Sequence, residues 1–221
     1  YYEGSAGVAR MLLWTGRLAE RPALIRLARK ALRHALERSQ SQGWSLHSGL
    51  LGNGLVAIEA GGLLASPGLQ RAGIEAVRRA REAALDEARA GTAALDYLAG
   101  LAGAVHAAVA LAKARISDPQ WFLRMALNLA EPLAAAGEPA EVGRAWRMHP
   151  ADPGPLLAGL AHGAAGIALA FAALAAIDPE QAEHWHGLAA EARAFERIHV
   201  SSHRGSWADL RTQGDSSGPG S

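Results

Sequence analysis

Two glycines three residues apart, followed 16 to 19 residues later by a proline, recur four times along the chain. The copies are Gly4/Gly7 with Pro22, Gly49/Gly52 with Pro67, Gly100/Gly103 with Pro119, and Gly163/Gly166 with Pro179. Their starts lie 45, 51 and 63 residues apart. A nearly fixed internal offset inside a variable period is the trace of one structural unit repeated with loops of differing length. No other feature restricts the possible folds as strongly.

Each unit reads as two antiparallel helices. The segments after the glycine pairs, residues 6–15, 52–64, 101–114 and 164–177, are apolar on nearly all sides. A helix that is apolar all round is buried on every face, so these four should form an inner layer. The segments after the prolines, residues 23–39, 69–90, 120–136 and 180–197, are amphipathic. In the first of them Leu24, Leu27, Ala28, Ala31, Leu32 and Ala35 make one stripe, with Arg26, Arg29, Lys30, Arg33 and Glu37 opposite. That is the pattern of an outer helix with one wet face. Ser66-Pro67, Asp118-Pro119 and Asp178-Pro179 each set a capping side chain before a first-turn proline, whereas Arg21-Pro22 keeps only the proline.

The expected fold class is therefore all-α, a double layer of inner and outer helices. Composition agrees. Of 221 residues 50% are hydrophobic but only 5% aromatic, which suits closely packed helices and is poor material for a β-sandwich. The net charge of +1 and the lack of a basic run with interleaved aromatics leave nucleic acid out as a partner. With no cysteine, disulfides and thiolate metal sites within this chain are excluded. The longest apolar stretch, residues 156–177, is broken by His162 and three glycines and reads as a buried helix rather than a membrane span. The chain opens on Tyr1-Tyr2-Glu3 without a signal-peptide pattern, and a cytoplasmic location is expected. Residues 1–213 should form one partial domain, and the polar, glycine-rich residues 214–221 a disordered tail or linker. Both ends read as cuts through a larger protein.

Glycine at both i and i+3 costs about 1 kcal/mol each inside a helix relative to alanine. At a helix entry it permits a tight turn and a close backbone approach. Four such entries at one end of a curved array would converge their N–H groups and positive dipole ends on a shared mouth favouring an anion. An open arc of four units should also expose the apolar flank of its last inner helix.

Two of these entries carry groups able to move protons. His162 stands in Gly159-Leu160-Ala161-His162-Gly163, and Asp96 lies four residues before Gly100. Taken singly, the first also fits a hydrogen-bonded core histidine and the second a helix cap. Together, an acid and an imidazole at corresponding mouth positions of adjacent repeats suit a tuned general acid/base. His47, just before the second glycine pair, is placed to line the mouth, and Gly100 and Gly163 to shape its floor. His106 is expected in the core. His184 and His186, two apart on an outer helix, point to different faces, and no metal is expected there. Glu3, Glu59 and Asp96 are the acids a glycosidase-type helical barrel would use, though few aromatics are present to stack sugars. No nucleophile elbow, phosphate loop or dinucleotide fingerprint occurs.

Several segments resemble successive motifs of the lanthionine synthetase C-like (LanC-like) cyclases. They are Glu3-Gly4-Ser5-Ala6-Gly7-Val8-Ala9, Asp96-Tyr97-Leu98-Ala99-Gly100-Leu101-Ala102-Gly103, and Gly159-Leu160-Ala161-His162-Gly163-Ala164-Ala165-Gly166-Ile167-Ala168. Phe195-Glu196-Arg197 followed by Gly205-Ser206-Trp207-Ala208-Asp209-Leu210-Arg211 is similar to the stretch before the zinc motif of the class II enzymes, where the cyclase is the C-terminal part of a bifunctional lanthipeptide synthetase.

The resemblance implies an α,α-toroid, of which about four of the family's seven repeats are present. It implies addition of a peptide cysteine thiol to dehydroalanine or dehydrobutyrine, giving a thioether ring in a dehydrated precursor peptide. Zinc would activate the thiol, His162 would match the catalytic histidine and Asp96 its acidic partner. His47, Gly100 and Gly163, from their positions at the mouth rather than from the resemblance, are expected to bind that substrate. A dehydratase domain of the same polypeptide would be the partner. The family's zinc is held by two cysteines and a histidine, and with no cysteine this chain alone is expected neither to bind zinc nor to cyclise peptides. The alternative is a non-catalytic LanC-like helical scaffold that binds peptides or thiols.

Overall fold

The computed structural model describes residues 4–38, 43–151, 154–201, 206–207 and 210. Glu3 and the 214–221 tail lie outside these. The chain divides into two compact units, residues 1–86 and 87–221. Among the described residues there are eight helices and two short β ladders, so the all-α expectation holds.

The first unit contains α1 (Ser5–Leu18), α2 (Pro22–Arg38), α3 (Leu50–Leu63) and α4 (Pro67–Arg89) as far as Asp86. Its core joins Ala6, Ala9 and Leu13 of α1 to Ala28, Leu32 and Ala35 of α2 and Val56, Ala57 and Ala60 of α3. Six of these nine are alanines, so the helix axes can come close. The same holds where α3 meets α4: a Cβ on Gly73 would lie 2.7 Å from the Gly54 carbonyl oxygen.

The second unit contains α5 (Leu101–Ala114), α6 (Pro119–Ala135), α7 (Ala164–Ala175) and α8 (Ala182–Ile198). α5 packs on α6 and α7, and α7 on α8. Two antiparallel ladders, β1 (Glu138–Pro139) with β2 (Arg144–Ala145) and β3 (Val200–Ser201) with β4 (Ser206–Trp207), fill connections. Large aromatics anchor this core. The rings of Phe171 and Trp185 stack 5.8 Å apart, and the buried Trp146 donates its indole N–H to the Leu133 carbonyl at 2.7 Å.

The inner-layer expectation holds for α3, α5 and α7, which are buried over most of their lengths. It fails for α1. Only Ala6, Ala9, Leu13 and Gly16 are buried there, while Val8, Met11 and Leu18 are exposed. Those four fall on one stripe, so α1 packs on a single face. On α7 the flank is also partly open. Leu169 is 40% exposed and lines a groove of about 400 Å³ with Ala165, Ala172 and Arg193.

Three outer helices start at the expected prolines, Pro22, Pro67 and Pro119. Asp118 caps α6 by accepting from the backbone N–H groups of Gln120 and Trp121 at 3.0 and 3.1 Å. The fourth does not follow. α8 begins at Ala182 rather than after Pro179, and the Asp178 carboxylate accepts the buried Trp185 indole N–H at 2.8 Å.

Candidate functional site

α3, α5 and α7 begin alike. The first helical N–H folds back to a carbonyl seven residues upstream: Leu50 to Gly43 (2.9 Å), Leu101 to Ala94 (2.9 Å) and Ala164 to Leu157 (3.0 Å). In α3 and α5 the next two N–H groups do the same, Leu51 to Trp44 and Gly52 to Ser45, Ala102 to Leu95 and Gly103 to Asp96. These donors were expected to face an anion across a shared mouth. They are consumed by the chain's own turns instead, which overturns that expectation.

The glycine before each helix is explained by the same turn. Gly49, Gly100 and Gly163 have φ of −118°, −119° and −126° with extended ψ, a conformation open to any residue. What these positions lack is room. A Cβ would come within 2.3 Å of the Gly43 oxygen at Gly49, and within 2.4 Å of the backbones of Ala94 and Ala158 at Gly100 and Gly163. Glycine is there to let backbone cross backbone. On Gly100 and Gly163, expected to form the floor under a substrate, the side-chain space is filled by the preceding turn.

Asp96 and His162 come together, though not through equivalent positions. Asp96 is four residues before its glycine and His162 one before, so the two differ in register within their turns. They meet because the turns cross, with the Ala161 carbonyl accepting the N–H groups of Tyr97 and Leu98 at 3.2 and 3.3 Å. His162 Nδ1 then lies 2.6 Å from Asp96 Oδ2. The acid is 1% exposed, the imidazole side chain 44%. The second carboxylate oxygen accepts the Ala99 N–H at 2.6 Å, so Asp96 also closes its own turn as a cap would. An ionised carboxylate can only accept, so it fixes the proton on Nδ1 and leaves Nε2 as the ring's basic nitrogen.

Glu196, near the end of α8, is a second buried acid at this place, which the sequence singles out only as part of the Phe195-Glu196-Arg197 motif and without a site role. Its Oε1 accepts from the N–H of Gly159 at 2.8 Å and from that of Ala165 at 2.7 Å. The signal that points to it is Gly159, which stands where the other two turns carry Ser45 and Asp96.

His47 belongs to the first unit, half-buried in the turn before α3, where Ser45 Oγ and Ser48 Oγ are 3.1 Å apart. His106 lies on α5, edge-on to the Tyr97 ring at 5.5 Å. Burial, and secondarily the charge of Lys113, holds its imidazole below the usual histidine value of 6.5. Glu59 is on α3 beyond the entry turn. It receives Arg10 Nε at 2.7 Å and the Trp14 indole N–H at 2.8 Å, so it is a structural anchor rather than a mouth acid. Of the segment 205–211, Gly205, Ala208, Asp209 and Arg211 lie outside the described residues.

No group of three or more His, Cys, Asp or Glu side chains able to hold a metal occurs among the described residues. The donor set of two thiolates and an imidazole that the resemblance implies cannot be assembled from a sequence without cysteine. These residues do not fit a zinc site. Among the described residues, no helix is long and apolar enough to cross a membrane.

The family model for lanthionine synthetase C-like proteins matches residues 1–219. No curated protein matches the chain.

Proposed function

The chain belongs to the lanthionine synthetase C-like family, and from that premise we propose that Asp96 and His162 are the proton-transfer pair of a lanthionine cyclase. In the reaction, the sulfur of a peptide cysteine bonds to the β-carbon of a dehydroalanine or dehydrobutyrine. The double-bond electrons move onto the enolate, and the α-carbon takes up the proton the thiol loses. An imidazole protonated on Nδ1 can accept that proton at Nε2 and return it to the α-carbon. Asp96 holds the ring in the required tautomer and stabilises the transient imidazolium. Positioned acid/base groups of this kind contribute about 10²–10⁴ in rate.

The observation that supports this reading is the 2.6 Å contact between a fully buried carboxylate and a half-exposed imidazole. On this reading the substrate is a dehydrated precursor peptide. The class II type, with a dehydratase domain in the same polypeptide, is favoured by the Trp207-Ala208-Asp209-Leu210-Arg211 segment. Because the thiolate ligands for zinc are not among these 221 residues, the chain on its own closes no rings. A second reading, a non-catalytic LanC-like scaffold for peptides or thiols, is favoured by that same lack of cysteine.

The test is ring formation in a dehydrated, cysteine-containing precursor peptide, read by mass spectrometry after alkylation of residual thiols. The full-length gene product should close rings in the cytoplasm-like reducing buffer, with zinc supplied. Its His162→Ala variant should be slower by about 10²–10⁴, and the 221-residue chain should leave every thiol alkylatable. Undiminished ring formation by His162→Ala would favour the scaffold reading or a different acid.

A further inference from the structure

The three entry turns before α3, α5 and α7 have equal length, yet they are closed in three ways. Four positions before the last glycine the first carries Ser45, whose Oγ lies 3.1 Å from Ser48 Oγ. The second carries Asp96, whose carboxylate accepts the Ala99 N–H at 2.6 Å. The third carries Gly159, which has φ of +99° and no side chain with which to close anything. That turn is the one that holds His162.

The missing acceptor comes from another helix. Glu196 of α8 places Oε1 between the N–H groups of Gly159 and Ala165, three residues before and three after His162. It replaces a main-chain bond as well. At the second position of α3 and α5 the N–H goes to a turn carbonyl, but in α7 the equivalent Ala165 N–H goes to Glu196. A carboxylate at a helix N-terminus is favoured by the helix dipole, and charge-assisted bonds to backbone N–H groups are about twice as strong as neutral ones. Glu196 is 7% exposed, and its Oε2 is buried without a hydrogen-bond partner among the described residues. Burying an acid in this way is costly unless its bonds fix something, and what they fix is both ends of the His162 turn.

We propose that Glu196 is the positioning residue for His162: it clamps the turn from both sides, so that the imidazole meets Asp96 through Nδ1. It touches neither Asp96 nor the imidazole and acts through the backbone between Gly159 and Ala165. The inference rests on the reading of His162 as the cyclase's proton carrier, but its test needs no cyclisation, so the two can fail separately.

The experiment is ¹⁵N NMR of the 221-residue chain, reading the His162 tautomer and the amide exchange of Gly159 and Ala165. In the unmodified chain His162 should be the Nδ1–H tautomer and both amides protected. Glu196→Gln keeps an oxygen that can accept both bonds and should preserve the tautomer. Glu196→Ala should speed exchange at the two amides by tenfold or more and populate the Nε2–H tautomer. If Glu196→Ala melts earlier but keeps the Nδ1–H signature, Glu196 is only a brace and the proposal is wrong. Should Glu196→Ala not fold, Glu196→Asp decides. One methylene shorter, it cannot span both amides, and an unchanged His162 spectrum in that variant overturns the assignment.

Discussion

His162 Nδ1 and Asp96 Oδ2 stand 2.6 Å apart across 66 residues of sequence, with the acid buried and the imidazole half open. The distance alone would describe any hydrogen bond. What makes this one directional is that Asp96 has no freedom to turn away. Its other oxygen holds the Ala99 N–H, and its own backbone carbonyl receives Gly100 and Gly103. The carboxylate is held independently of the histidine, and the histidine's turn is held where it crosses Tyr97 and Leu98.

Asp96→Asn is therefore the most informative change at the pair. The amide oxygen can still accept the Ala99 N–H, which turns the amide NH₂ toward His162 Nδ1. An imidazole facing a donor must carry its proton on Nε2, where it can no longer take one from a thiol. Ring formation by the full-length gene product should fall by about 10³–10⁴, the size of loss seen when a catalytic histidine is held in the wrong tautomer. Stability should change by less than in Asp96→Ala, which strands the Ala99 N–H at a cost of about 1–3 kcal/mol. Kinetics and urea unfolding of both variants check the split.

The division into apolar inner and amphipathic outer helices was legible in the sequence because it rests on periodicity, and burial follows periodicity directly. The exception, α1, carries Arg10 and Arg17 among its apolar residues, a warning that it would not be buried all round. The starts of α2, α4 and α6 were legible from proline, whose preference is local. The start of α8 was not, and there Asp178 accepts the Trp185 indole N–H. Asp96 and His162 could be singled out because each stands in an otherwise apolar turn. Their contact depends on two turns crossing, not on the corresponding positions that the sequence reading gave them. Glu196 was hidden among Glu191, Arg193 and Arg197 on a charged helix. Its burial comes from a turn 31 to 37 residues away.

The glycine turns predict opposite signs for one substitution at different sites. In Gly100→Ala and Gly163→Ala the new methyl would meet backbone atoms at 2.4 Å, which have no rotamer to escape by. Each should lose about 1–3 kcal/mol, the usual cost of overpacking. Gly187, inside α8, has nothing within 4 Å of its missing Cβ, so Gly187→Ala should gain about 0.5–1 kcal/mol by restricting the unfolded chain. Thermal unfolding of the three variants measures this. Equal losses at all three would mean that the backbone crossing is not what the glycines are for.

His106 gives a stability term whose pH dependence has a defined sign. Burial and Lys113 lower its affinity for a proton in the folded chain, so on acidification the unfolded chain protonates first. The folded state then binds fewer protons than the unfolded one, and stability falls as pH drops below the usual 6.5 toward the lowered value. Above that window both states are neutral at this position, and the term vanishes. His106→Gln removes the titration while keeping a polar side chain beside Tyr97. Urea unfolding between about pH 7.5 and pH 5 should show the unmodified chain losing stability more steeply than the variant. Parallel curves would mean that His106 takes up its proton in the folded chain as easily as in the unfolded one.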